Sequence, residues 1–219
     1  MYFNKPFPHD YRRPADAEAR LKASLHQVFN TLKEKGIPKE DIAIGLLDEA
    51  SPQNRANTVR LWSFAPSPVV DKNTTHFQTN TIGFYAIQGV SVQHFMADSK
   101  TKSVVDFLRQ VKVANATVKA IIILLDNYST HHASQVKATA RELDIYLVYL
   151  PPYSPDLNPL EYLWKSIKRI MSRSCIRTLE EMKENIAEGW KQLSGSLGFA
   201  KKWIAQFLET ESYYNDLCR

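Results

Sequence analysis

Three acidic residues stand where apolar elements end or begin: Asp48 after the run 42–47, Asp126 after AIIILL at 120–125, and Glu161 in NPLEYLW. The strand exits of an open α/β sheet are where ligands bind. Carboxylates converging there would repel one another and raise one another's pKa, a costly arrangement to keep for structure alone. Oxygen-only ligation of this type suits a hard cation, Mg²⁺ or Mn²⁺. Two such ions about 3.5–4 Å apart would clamp the attacking and leaving oxygens of a phosphodiester displacement. The sequence contains no glycine-rich phosphate loop or nucleophilic triad to compete as a chemical centre.

Each acid also has a plainer reading. Asp126-Asn127 can simply open a turn after a strand. Glu161 falls three residues after Asn158, where it can serve as the reciprocal partner of an N-cap or pair with Lys165 one turn on. Asp48 and Glu49 can be a solvated strand end, and which of the two faces inward depends on register, so Glu49 stands as the alternative first ligand. Asn127 and His131 are candidates for supporting the site, His131 and His132 also for capping a helix start. Asp156, within SPDLNP, reads as a turn residue.

The elements that must position these acids follow from periodicity. The run 120–125 is uniformly apolar, as in a strand buried on both faces. Leu21, Leu25, Val28, Phe29 and Leu32 share one face of a helix over 15–35, which Gly36 and Pro38 end. The β-rich blocks at 58–66, 80–89 and 90–98 predict antiparallel strands. A crossover helix over 101–113, a helix over 133–143 and a strand over 145–150 follow. Asn158 as N-cap with Pro159 at the first helical position starts the helix carrying Glu161, and Thr178 with Glu181 starts another. A last helix carries Trp203, Ile204, Phe207 and Leu208. Trp62, Trp164, Trp190 and Trp203 sit in apolar periodic contexts and read as core. Strands followed by alternating helix and strand predict an α/β fold with a mixed sheet flanked by helices.

At 219 residues the chain can bury one sizeable core. Its net charge of +5 is compatible with a polyanionic partner. The two cysteines, Cys175 and Cys218, have neither metal-ligand spacing nor the density of a disulfide framework, which predicts a reducing interior. No apolar run approaches the roughly 18 residues of a membrane span, and the N-terminus lacks a signal-peptide core. A soluble protein of the cytoplasm is expected.

With these residues in view, LLDEA around Asp48, LLDNYSTHHA around Asp126 and YLPPYSPDLNPLEYLWKSIK around Glu161 resemble the catalytic core of the mariner superfamily of DDE transposases, in particular its bacterial and archaeal insertion-sequence branch. The 34 residues between Asp126 and Glu161 match that superfamily's interval. The resemblance implies an RNase H-like fold with a five-stranded mixed sheet and a C-terminal helical extension. The expected division is an arm and amphipathic helix at 1–40, a catalytic core at 41–175 and helices at 176–219. Asp48, Asp126 and Glu161 are implied as catalytic residues holding two divalent metals, Mg²⁺ or Mn²⁺. The implied activity is cleavage of double-stranded DNA at terminal inverted repeats, then attack of the freed 3′-hydroxyl on target DNA at TA. A homodimer in a prokaryotic, nucleoid-associated setting is implied as well. Family members carry an N-terminal helix-turn-helix region, whereas a single amphipathic helix precedes Asp48 here, so a separate recognition polypeptide enters the expected partners.

Lys165, Lys168, Arg169 and Arg173, on or just beyond the helix of Glu161, form a candidate DNA track, with an ordinary solvated face as the alternative. Arg12 and Arg13 read as a mobile basic arm or a further phosphate anchor. Two rival functions remain open at this level: a structure-selective nuclease of the same fold, and a non-catalytic DNA-binding remnant whose acids no longer assemble.

Overall fold

The computed structural model describes residues 10–54, 64 and 75–209. The expected strand at 58–66, Phe64 apart, and Trp62 therefore lie outside the described residues, as do 1–9 and Cys218. Helix α1 (Ala17–Glu34) buries Leu21, Leu25, Phe29 and Leu32. It closes as the sequence predicts: Gly36 takes φ +67, its N–H donates to Lys33 O, and that of Ile37 donates to Leu32 O. This left-handed stop is one that a residue without Cβ adopts freely.

Strand β1 (Ile42–Ala50) pairs antiparallel with β2 (Asn80–Gln88), which pairs antiparallel with β3 (Val92–Met96). Helix α2 (Thr101–Ala114) crosses to β4 (Ala120–Leu125), and α3 (Ser134–Glu142) leads to β5 (Ile145–Tyr149). β4 runs parallel to both β1 and β5, giving the five-stranded order β3-β2-β1-β4-β5. Every residue of β4 is buried, as its uniformly apolar sequence requires. Helices α4 (Leu160–Met171), α5 (Leu179–Leu193) and α6 (Lys201–Phe207) complete the described chain.

The period-2 alternation of strands sorts the core into two layers. Ile44, Leu46, Ile122 and Leu124 pack with α1, α4, α5 and α6 on one face. Ala43, Leu47, Ile121, Ile123 and Leu125 pack with α2 and α3 on the other. Trp164, Trp190 and Trp203 are buried in the first layer, as expected for core tryptophans.

β1 differs from its expected span in a way that matters for the site. The expected strand stops at residue 47, yet pairing with β2 continues through Ala50, opposite Thr81. Asp48 and Glu49 thus lie inside the strand, where alternation fixes their faces.

Candidate active site

The residues buried from β1 on the α4 side are Ile42, Ile44, Leu46 and Ala50, so Asp48 belongs to that face. Ala43 and Leu47 share the opposite face with Glu49. In β4 the α4 side takes Ala120, Ile122 and Leu124, which sets Asp126 on the same side as Asp48. The parallel register pairs Ile42 with Ala120 and Leu46 with Leu124, so two residues further Asp48 comes level with Asp126.

Glu161 arrives on α4. Asn158 accepts from Leu160 N through its Oδ1 at 3.1 Å, and its own carbonyl accepts from Glu161 N. The helix itself begins at Leu160 with Pro159 at the cap position, one residue later than expected, and no reciprocal bond forms: Asn158 N donates to Pro155 O, and the Glu161 carboxylate instead meets Lys165 Nζ at 3.6 Å. Asp48, Asp126 and Glu161 together line a cavity of about 290 Å³, walled also by Asn127, Tyr128, Asn158 and the loop 150–155.

Helix α4 is pressed onto the sheet beside Asp48 by two tryptophans. Gly83 lies opposite Asp48 in the β1–β2 ladder. A Cβ there would come within 2.5 Å of the Trp190 ring and 2.9 Å of the Trp164 ring. Trp164 sits three residues after Glu161, and its ring centroid is 5.1 Å from that of Trp190. Gly83 is a determinant that sequence reasoning missed, since a glycine in a strand signals close approach without naming what approaches.

Electrostatics tie the acids together. Burial, followed by the charges of Asp126 and Glu161, pushes the Asp48 carboxyl up to about 8. Burial would raise Asp126 as well, but hydrogen bonds from His131 and from Tyr128 N–H outweigh it and hold this carboxyl below the ordinary range. His131 Nδ1–H donates to Asp126 Oδ1 at 2.8 Å, while its Nε2 lies 3.5 Å from Glu49 Oε1. Burial opposes charge on this imidazole, yet the two carboxylates prevail and push it up to about 9. Glu49 is therefore a partner of His131; alternation puts it on the other face of β1 from Asp48, yet it lines a neighbouring cavity of about 220 Å³ together with Asp48, Asp126 and His131.

Asn127 lines the cavity, but both ends of its amide are engaged away from the acids. Its amide donates to Leu150 O, and its Oδ1 faces His132 Nε2 at 3.2 Å, so it ties the ends of β4 and β5 together. His132 stacks on Tyr149 with ring centroids 4.2 Å apart. Lys165, Lys168, Arg169 and Arg173 are all exposed, and Lys168 borders a second cavity with Ser51, Gln53 and Asn54. Arg12 and Arg13 depart from the expected mobile arm. Arg13 forms a bidentate pair with Asp156, at 3.2 and 2.8 Å, and Arg12 lies over the Tyr153 ring at 3.9 Å.

Among the described residues, no three His, Cys, Asp or Glu side chains are gathered tightly enough to hold an ion as they stand. The donor set nonetheless fits a divalent cation. It is oxygen-only, and the repulsion from Asp126 and Glu161 that adds to burial in raising Asp48 is what a bound cation would relieve.

The central parallel strands with acids level at their ends, flanked by an antiparallel hairpin and by helices on both faces, define an RNase H-like α/β protein. The profile of the DDE superfamily endonuclease family matches residues 44–183, and the chain belongs to that family. No curated protein sequence matches it. Among solved structures it resembles the Mos1 transposase paired-end complex with left transposon end, at TM-score 0.60 and 18% identity, covering 98% of this chain and 67% of that one. The paired-end complex with Mg gives TM-score 0.61 at 16% identity, over 98% of this chain and 65% of that one. The catalytic domain of Mos1 mariner transposase gives TM-score 0.52 at 18% identity, over 92% of this chain and 96% of that one. The chain thus spans about two thirds of the length of the transposases in those complexes.

Proposed function

We propose that this chain is the catalytic portion of a DDE transposase, cutting double-stranded DNA at transposon ends and joining the freed end to target DNA. The observation that carries the reading is the cavity lined by Asp48, Asp126 and Glu161 together, the two strand acids falling on one face when the β1–β4 register is continued. Family membership supplies endonuclease chemistry. The likeness to Mos1 transposase bound to transposon ends supports DNA as the substrate, and relatives solved with Mg and with Mn support divalent cations.

In the proposed reaction, water attacks a phosphodiester phosphorus, the bond to the 3′-oxygen breaks, and that oxygen leaves as a 3′-hydroxyl opposite a 5′-phosphate. In strand transfer the freed 3′-hydroxyl attacks a target phosphodiester in the same way. Asp48, Asp126 and Glu161 would hold two divalent cations, Mg²⁺ or Mn²⁺, which supply Lewis-acid stabilisation of the attacking and leaving oxygens. His131 fixes the orientation of Asp126 through Nδ1–H. Asn127 holds the β4 and β5 ends in register so that the loop 150–155 walls the site. Lys165, Lys168, Arg169 and Arg173 would meet backbone phosphates, which position DNA without reading sequence.

We further propose the division into an arm and first helix (1–40), the DDE core (41–175) and a helical extension (176–219). Action as a homodimer on paired inverted-repeat ends, recognised with the help of a helix-turn-helix segment on this or another polypeptide, completes the reading. No helix among the described residues is long and apolar enough to cross a membrane.

A strand-transfer assay tests the reading. A labelled, precut inverted-repeat end is incubated with supercoiled target in Mn²⁺, beside branched DNA and an RNA–DNA hybrid. Joining of the end to target is the expected result. Cutting of branched DNA or hybrid without any joining would overturn the transposase reading in favour of a structure-selective nuclease.

A further inference from the structure

Arg12 and Arg13 spend their charge on the loop that delivers Glu161. The Arg13 side chain is only 10% exposed. Its Nε and Nη2 grip both oxygens of Asp156, 143 residues away in sequence, and its Nη2 also lies 3.9 Å from Glu18 Oε1. Glu18 accepts in turn from Gln206 Nε2 at 2.6 Å, which links α1 and α6 to the same node. A fork bonded to both oxygens of a carboxylate fixes orientation as well as distance. Arg12, its guanidinium anchored by two bonds to Asp10, covers the ring of Tyr153. Tyr153 is one of two non-glycine residues with positive φ, +54, among the described residues, a backbone state that persists only when its surroundings impose it.

Tyr153 belongs to the loop 150–155 that walls the acidic cavity, and Asp156 follows it directly. From Asp156 the chain makes a 3₁₀ turn (Pro155–Leu157), then passes Asn158, whose side chain accepts from Leu160 N, and reaches Glu161 within five residues. The pairing of β1 and β4 positions Asp48 and Asp126, whereas Glu161 comes from a separate element reached through this loop. Its placement relative to the other two acids depends on where the loop is held.

We propose that Arg12 and Arg13 are positioning residues: through Tyr153 and Asp156 the segment 10–16 straps down the catalytic loop and sets Glu161 against the strand acids. This inference rests on the reading of Asp48, Asp126 and Glu161 as metal ligands. It also assigns to Asp156, which local sequence predicts as a turn residue, the role of receiving the strap.

The test has two arms, each independent of DNA cleavage. In the first, amide hydrogen exchange is followed in wild type, Arg12→Ala, Arg13→Ala, Arg13→Lys and the charge-swapped pair Arg13→Asp with Asp156→Arg. The amides of Leu157, Asn158 and Glu161 are expected to exchange about tenfold faster in Arg13→Ala, with Ile122 and Leu124 unchanged, because local opening reports the stability of the element that holds them. In the second arm, free Mn²⁺ is titrated by electron paramagnetic resonance. Half-saturation is expected to rise about tenfold in Arg13→Ala, the size of loss seen when outer partners of metal ligands are removed, to rise less in Arg13→Lys, and to return toward wild type in the swapped pair. A merely structural pair would lower melting temperature without moving the half-saturation of the folded protein. Unchanged exchange in Arg13→Ala overturns the strap, and faster exchange with unchanged Mn²⁺ half-saturation overturns positioning. Failure of the underlying reading looks different: wild type and Glu161→Gln would bind Mn²⁺ equally, or not at all, and the positioning claim would fall with it.

Discussion

Gly83 lies directly opposite Asp48 in the β1–β2 ladder, and the room left by its missing side chain is occupied by the rings of Trp190 and Trp164. One glycine thereby lets α4 and α5 close onto the sheet beside the first acid. Gly83→Ala would force the tryptophan pair off the sheet. Overpacking of a filled core costs about 1–3 kcal/mol, and because Glu161 shares α4 with Trp164, divalent binding should weaken as well. Melting temperature and Mn²⁺ titration check this; an unchanged melting temperature would show that the rings do not press on this position.

A pH dependence follows from two groups. The Asp48 carboxyl ionises near 3.8 in a free chain and near 8 in the fold, so the fold keeps a proton through that window that the unfolded chain has released. His131, raised from 6.5 to about 9, contributes stability that is complete below 6.5 and lost as pH rises toward 9. Both make the metal-free protein less stable as pH climbs from about 5 to 9, since stability falls wherever the native state binds more protons. Melting curves in EDTA should show this decline, flattened in Asp48→Asn and opposed by Mg²⁺. A melting temperature that rises over this range would contradict the burial and charge assigned to both groups.

His131→Ala removes the group between Asp126 and Glu49. Asp126 is half exposed and can turn to water, whereas Glu49 Oε1 is buried, and leaving it without the imidazolium beside it costs about 1–3 kcal/mol. Urea denaturation of His131→Ala should show a loss in that range, and Glu49→Gln, which keeps an acceptor beside Nε2, should lose less. Equal losses in the two variants would mean that the imidazole does not bridge the acids.

The exposed cations of α4 and its end predict salt-dependent DNA binding. Each phosphate contact removed should reduce the slope of log affinity against log salt by about 0.9. Lys168→Ala and Arg173→Ala are expected to do so, whereas Lys165→Ala, whose charge is shared with Glu161, should do less. A set of unchanged slopes would return these side chains to the status of a solvated helix face.

Much of this was legible in the sequence because it is encoded locally. A run as apolar as AIIILL must be buried on both sides, the side chains of Asn158 and Thr178 accept from first-turn amides of the helices they precede, and Gly36 ends α1. What local sequence could not encode depends on pairing across the chain. The extension of β1 through Ala50, which separates Asp48 from Glu49 by face, is set by hydrogen bonds to β2. The grip of Arg13 on Asp156 joins residues 143 apart, and the role of Gly83 depends on two rings from later helices. Asn127 was visible as a polar neighbour of Asp126, but its bond to Leu150 O depends on β5 lying beside β4.

The proposed function requires Asp48, Asp126 and Glu161 to act together as a divalent-dependent nuclease centre. The direct measurement is nicking of labelled duplex DNA carrying inverted-repeat ends, in Mg²⁺, Mn²⁺ or EDTA, by wild type, Asp48→Asn, Asp126→Ala and Glu161→Ala. Cutting that requires the metal and disappears in the three variants is the predicted result. Metal-dependent cutting retained by Asp126→Ala or Glu161→Ala would contradict the account.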